Sequence, residues 1–293
     1  MTISINIIGG FGNQLFQIFA AMAYSIQHNI PVIYPYNNDL GHRHSYWDTF
    51  FQDILEYTTN HNKITENDLN QLTKYQDPDF TFTPIPVFNQ SVHLLGFYQS
   101  YKYFQKFQSS IYERIHLKEK KEAVKNKYPE LFPESVKQTV AIHFRLGDYK
   151  AKRYYHPIMN YEYFEKALEH IVNTSNNISR VIYVCEAEDN SYVTSKIELL
   201  QKKYPEIEYI KVPDSIPDYE QLLILSLADH NIIPNSTFSW WGAYLNENPE
   251  KVVCYPSVWF GEYFEHTPNL HDLIPEDWIK IEAKPIPWDQ PLV

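Results

Sequence analysis

Apolar and polar positions along the chain fall into short blocks that repeat in the order strand, turn, helix. Residues 3–8, Ile-Ser-Ile-Asn-Ile-Ile, alternate and then close apolar, which predicts a first strand. Gly9, Gly10 and Gly12 follow it. From Leu15 the apolar residues Leu15, Phe19, Met22 and Ile26 recur at helical spacing, beside Phe16, Ala20 and Ala23, for a helix of about three turns. Residues 31–35 predict a second strand, and 37–92 are irregular apart from a helix over roughly 64–74. Val92 to Ser100 reads as a strand running into a turn, followed by a helix from Tyr103 to Ile115 and a charged, solvated helix over 118–127. Pro129 and Pro133 then close the first half, so a domain boundary is placed near 135.

The second half is more regular. Strands are predicted over 138–144, 180–185, 207–212, 230–233 and 251–255, alternating with helices over 160–173, 190–203, 217–228 and 238–247. Such spacing predicts a parallel sheet covered by helices. The reading is therefore α/β: an N-terminal domain over 1–135, a second over 136–260 facing it across a cleft, and an extended, proline-rich tail over 261–293 packing across both.

Composition narrows the functional classes. The chain has 293 residues, 44% hydrophobic and 21% charged, which suits a soluble globular protein with a large core. Its formal net charge is -11 with no basic run, which disfavours a nucleic-acid or anionic-membrane surface, so a positive site has to be local. Cys185 and Cys254 fall inside predicted strands and read as core thiols. No basic leader and no run of 18 apolar residues is present, so a cytoplasmic protein without a transmembrane segment is expected. Four glycosylation sequons carry little meaning in that compartment. Aromatic residues reach 16%; flat amphipathic rings suit sugar faces, and they also fill cores.

Several stretches carry candidate chemistry. The glycine turn lacks the third glycine of a dinucleotide fingerprint, where Leu15 stands, and no P-loop sequence occurs. What remains is a small-residue turn, Gly10 and Gly12, presenting the amides of Asn13 and Gln14 at the carboxyl edge of the first strand. Asn235, Ser236 and Thr237 sit at a helix start, between the apolar run 231–234 and the helical spacing of Phe238, Trp241 and Leu245. Side-chain caps, free backbone N–H groups and the positive end of the helix dipole make an anion site there. An ordinary cap before two core tryptophans is the competing reading. His143-Phe-Arg145-Leu-Gly-Asp148-Tyr149 ends a strand, and alternation sends His143 and Arg145 to one face. An arginine there, facing the helix start at 235–237, would clamp a diphosphate; a structural pair with Asp148 is the alternative. Asp77-Pro78-Asp79 has the DxD form of a divalent-ion site, but a proline splits it within a loop, and His42, Arg43 and His44 find no third ligand. No metal is assigned.

Together, GGFGNQLFQ at 9–17, LLGFYQSYKYF at 94–104, HFRLGDY at 143–149 and the block from Ser226 through NSTFSWWGAYLN to Asn246 resemble the bacterial-type α-1,2-fucosyltransferases of glycosyltransferase family 11. The resemblance implies a GT-B-like fold, two Rossmann-like domains facing across a cleft, and a nucleotide sugar and a glycan acceptor as partners. It implies inverting transfer from GDP-fucose, used as co-substrate, with no cofactor and no metal. By the same resemblance Arg145 meets the β-phosphate, Ser236, Thr237 and Phe238 form the phosphate-binding segment, with Asn235 beside it counted among the donor-binding residues, His143 lies near the guanine, and Asn13 orients the sugar or acceptor hydroxyl. Asp148 is the first candidate for the general base, with Glu186 and Glu188 behind it.

Three departures from the family pattern stand out. Leu146 replaces a second arginine, with Lys150 or Arg153 available to share its work; Glu186-Ala-Glu188-Asp189 replaces Ser-Asp-Asp; and Gln221, with Glu220 beside it, stands where an aspartate would read guanine. The last leaves open a different nucleotide-linked deoxysugar as donor. A non-catalytic, sugar-binding relative is the third reading.

Overall fold

The computed structural model describes residues 1–37, 40–41, 43–78, 80–264 and 270–292. The chain forms two compact units, Met1–Lys120 with Asn269–Glu276, and Lys121–Pro268 with Asp277–Val293.

In the first unit, strand β1 (Ile3–Ile5) leads through the glycine turn into helix α1 (Phe11–His28). The helix starts four residues earlier than the apolar spacing from Leu15 indicates, with Gly10 as its N-cap, and runs for 18 residues. Helix α2 (Glu66–Asn70) opens on a capping box between Thr65 and Asp68 and ends before strand β2 (Thr73–Gln76), so the helix predicted over 64–74 is shorter and a strand takes over its end. Strand β3 (Val92–Leu95) lies between β1 and β2, and all three are parallel. The predicted strand at 31–35 reduces to single bridges at Val32 and Tyr34. The helix predicted over 103–115 is broken into short 3-10 turns before α3 (Gln108–Arg114), and α4 (Leu117–Lys127) follows, its residues from Lys121 on belonging to the second unit. Aromatic rings fill this core: Phe11 stacks on Tyr46 at 4.1 Å and meets Phe50 edge-on at 5.0 Å.

The second unit follows the predicted alternation: β4 (Gln138–His143), α5 (Tyr161–Thr174), β5 (Ile178–Val184), α6 (Asn190–Lys203), β6 (Glu208–Lys211), α7 (Asp218–Ser226), β7 (His230–Ile232), α8 (Thr237–Tyr244) and β8 (Val253–Pro256). A further strand, β9 (Ile279–Ile281), comes from the predicted tail and pairs with β8. All six strands are parallel in the order β6-β5-β4-β7-β8-β9. The chain starts in the middle at β4, winds outward through β5 and β6, then returns to the other side of β4 with β7. That reversal leaves a crevice beyond the carboxyl ends of β4 and β7, where open α/β sheets bind their ligands. Burial supports the pattern: Val140, Ile142, Val181, Ile182 and Ile232 are fully buried between the helices.

Candidate functional site

The two segments singled out by the sequence meet at this crevice. Past the end of β4, the Arg145 guanidinium is held by two carboxylates, Asp148 on one side and Glu186 on the other, and lies over the Tyr149 ring at 4.9 Å. The anticipated pair with Asp148 therefore exists, and Glu186 joins it from beyond β5. Gly147 has φ +34, and a Cβ there would lie 2.1 Å from the Glu186 carboxylate, so the loop closes on Glu186 only because this residue is glycine. The following acidic turn pins the same loop. Asp189 accepts from the Gly147 N–H at 2.9 Å and from Lys150 at 2.7 Å, while Glu188 pairs with Lys150 at 2.7 Å. Leu146 is buried in the apolar cluster with Phe144 and Ile158, so its side chain faces the core. A small pocket beside Arg145 is also lined by Leu146, Tyr161 and Tyr192.

Opposite, β7 ends at Ile232 and the chain turns through Pro234, Asn235 and Ser236 into α8. Ser236 is the N-cap, yet it makes no side-chain capping bond. Asn235 does not cap either; its NH2 group donates to the Trp259 carbonyl at 2.9 Å and its Oδ1 is buried without a partner. The expected side-chain caps are thus absent, and the first-turn N–H groups of α8 keep the donor capacity that suits an anion. Two contacts join the segments. The Tyr149 hydroxyl donates to the Asn235 carbonyl at 3.1 Å, and the His143 and Phe238 rings lie 5.3 Å apart. The structure therefore gathers His143, Arg145, Asp148, Asn235, Ser236, Thr237 and Phe238 in one place. Tyr149, the last residue of HFRLGDY, sits under the guanidinium and ties it to the α8 turn, a role that the motif alone does not reveal.

His143 is 5% exposed with its Nδ1 unpartnered, and burial, reinforced by Arg145, pulls its pKa down to about 3. The imidazole is neutral in the folded protein and charges near pH 6.5 once unfolded. Its stabilising contribution is therefore complete above about pH 6.5 and is lost as pH falls toward 3, by up to about 1.4 kcal/mol per pH unit. His143→Phe is expected to flatten the acid limb of a stability-versus-pH curve measured by urea denaturation. An unchanged slope between pH 6.5 and 4.5 would contradict this assignment.

Glu220 and Gln221 are turned to other partners. Glu220 accepts from Lys127 at 2.8 Å and from the Tyr128 hydroxyl at 2.5 Å, and Gln221 donates to the Ile216 carbonyl at 2.8 Å. In the first unit, Gln14 donates to the Gly9 and His44 carbonyls at 3.0 and 2.9 Å, fixing the glycine turn from inside. Asn13 accepts from Gln99 at 2.9 Å through its Oδ1, which orients its amide and leaves the NH2 end to donate. Gly10 and Gly12 open α1 beside them. Of the acidic pair in the loop, Asp77 accepts from the Tyr98 N–H at 2.8 Å as a turn-forming group, while Asp79 lies outside the described residues, as does His42. Among the described residues no group of three or more His, Cys, Asp or Glu side chains is placed to hold a metal, and no helix is long and apolar enough to cross a membrane. Both cysteines are free and buried, and burial pushes Cys185 to about 11 and Cys254 to about 12.

Comparison with known proteins gives a consistent picture. The family described as Glycosyl transferase family 11 matches residues 2–282. Over 299 residues the chain is 22% identical to an alpha-1,2-colitosyltransferase of Escherichia coli, covering 94% of this chain and 97% of that protein. Over 150 residues it is 27% identical to the O-antigen biosynthesis glycosyltransferase WbnK of Escherichia coli, covering 49% of this chain and 44% of that protein, so this match spans less than half of the relative's length. A glycosyl transferase of family 9 from Veillonella parvula has a similar fold, with a TM-score of 0.50 at 9% identity over 96% of this chain and 85% of that one. That likeness is one of fold alone, a GT-B-like α/β architecture.

Proposed function

The chain belongs to glycosyltransferase family 11, and from that premise we propose that it moves L-fucose from GDP-β-L-fucose to the 2-hydroxyl of a terminal galactose-type residue on a glycan. The β-linked donor gives an α-1,2 fucoside by a single inverting displacement, in the cytoplasm. The observation that carries this reading is the meeting of Arg145 with the uncapped start of α8 at the reversal point of the sheet. A guanidinium and a set of helix N–H groups neutralise a departing diphosphate without a divalent ion. The His143 and Phe238 rings offer an apolar wall for the base of the nucleotide. Asn13, its amide set by Gln99, is assigned to orienting a sugar or acceptor hydroxyl.

The diphosphate competes for Arg145 with Asp148 and Glu186. Asp148, at 39% side-chain exposure, is then released to take the acceptor proton. Asp148→Asn is expected to lower kcat by about 10² to 10⁴ with the donor KM little changed. An unchanged kcat would remove it as the base.

The test of the reaction is a donor panel: GDP-fucose, GDP-mannose and UDP-sugars with lactose, with and without EDTA, assayed for free nucleotide and product mass. Transfer from GDP-fucose that persists in EDTA is expected. Activity that disappears with EDTA would contradict the metal-free mechanism, and inertness toward GDP-fucose would contradict the donor. A second reading has its own support, because the relative matched along nearly the whole chain is named a colitosyltransferase. Colitose is fucose without its 3-hydroxyl, and preference for GDP-colitose, added to this panel as a further donor, would select that reading.

A further inference from the structure

Four large aromatic side chains of the second unit stand together in solvent: Tyr154 and Tyr155 at 41% exposure, Tyr263 at 52% and Trp288 at 53%. They come from three separate segments and touch one another. Tyr154 meets Tyr155, Tyr263 and Trp288 with ring centroids 5.9, 6.0 and 5.8 Å apart, and Tyr155 lies 4.2 Å from Tyr263. The backbone beneath is fixed as well. Gly261 and Tyr263 donate their N–H groups to the Tyr155 and Tyr154 carbonyls at 2.8 and 3.1 Å, and Arg153 reaches the Pro287 carbonyl at 3.1 Å. A Cβ on Gly261 would lie 2.2 Å from the Tyr154 carbonyl oxygen, so this glycine is what allows the two loops to close on each other.

Two of the three segments are anchored directly to the candidate donor site. The His156 ring, one residue past Tyr155, stacks on Tyr149 at 4.7 Å, and Tyr149 in turn underlies Arg145. Trp259, two residues before Gly261, takes the amide of Asn235 at 2.9 Å. An aromatic surface held rigid in water and tied at two points to the donor site is suited to a ligand that sits beside the donor. Flat rings with hydroxyl and indole donors match the apolar faces and equatorial hydroxyls of pyranoses, and ordering them in advance lowers the entropy cost of binding. The net charge of -11 opposes an anionic membrane or nucleic acid on the same surface.

We propose that Tyr154, Tyr155, Tyr263 and Trp288 form a platform that stacks the non-reacting sugars of a neutral, galactose-terminated acceptor glycan. The proposal rests on the glycosyl-transfer reading above and adds the place where the acceptor is gripped.

Trp288 provides a readout that needs no turnover, since the other five tryptophans are at most 6% exposed. Titration with a panel of neutral galactose-terminated glycans of two to six sugars is expected to protect Trp288 from acrylamide quenching, and more so for the longer members. Tyr263→Ala and Trp288→Ala are expected to raise the acceptor KM on the order of fivefold each, with donor KM and acceptor-free donor hydrolysis unchanged. Phosphatidylglycerol vesicles are expected to leave Trp288 accessible. Equal acceptor KM in active wild type and variants, no protection by any glycan, or protection by vesicles instead would each overturn the platform. A wild type that neither transfers nor hydrolyses any donor would instead overturn the transfer reading.

Discussion

Arg145→Ala is expected to cut transfer by about 10² to 10³ or more, a loss of roughly 3 to 4 kcal/mol of transition-state stabilisation. In the proposed reaction the guanidinium is the fixed positive group beside the departing diphosphate, and it is only 17% exposed, so water replaces it poorly. Arg145→Lys is expected to recover only part of the rate, because a single ammonium keeps the charge but loses the planar fork that grips two oxygens at once. Stability is expected to change little in either variant. The carboxylates left behind, Asp148 and Glu186, are 39% and 44% exposed and remain open to water once the guanidinium is gone. Initial rates with GDP-fucose and a thermal melt of the same preparation check both halves. A melting point that falls with activity would mean that Arg145 holds the fold rather than the substrate.

Trp240→Ala is expected to do the reverse, destabilising the protein by about 3 to 5 kcal/mol. Trp240 is fully buried in the first turn of α8, stacked on Tyr244 at 4.7 Å and 12°, edge-on to Trp241 at 5.1 Å and against Trp278 at 5.6 Å. Its removal leaves a large apolar hole beside the first turn of α8, so the proposed anion site is expected to loosen together with the core. Chemical denaturation measures the loss; a change under about 1 kcal/mol would mean that the site refills by collapse. The contrast with Arg145 separates the two jobs proposed for the region: tryptophans hold α8 from behind, and its tip is proposed to bind the diphosphate.

Much of the second unit was legible in the sequence because its buried strands are continuous apolar runs separated by amphipathic helices. The exceptions have physical causes. Strand β9, Ile-Lys-Ile, is three residues long inside a proline-rich tail and becomes a strand only because β8 offers a free edge. Strand β2, Thr-Lys-Tyr-Gln, is mostly exposed and carries no apolar alternation, so nothing local distinguished it from the helix before it. The 3-10 turns at 101–107 have no period long enough to read, which is why a continuous helix was expected there. In the site, Arg145 and the α8 start stood out because each has a local signature, a strand end and a helix start. The Glu186 grip on Arg145 spans 41 residues of sequence and the Tyr149–Asn235 bond spans 86, and such pairs exist only once the sheet has formed. The expected Asn235 cap failed for a related reason: a residue with cap chemistry was drawn to a tertiary partner, the Trp259 carbonyl, instead of its own helix.

The arrangement at the carboxyl ends of β4 and β7 is tested most directly by a crystal structure with GDP bound. The diphosphate should then lie within hydrogen-bonding distance of both the Arg145 guanidinium and the Thr237 and Phe238 N–H groups, with Asp148 or Glu186 displaced from the guanidinium. GDP bound elsewhere, with Arg145 still closed on both carboxylates, would contradict the site.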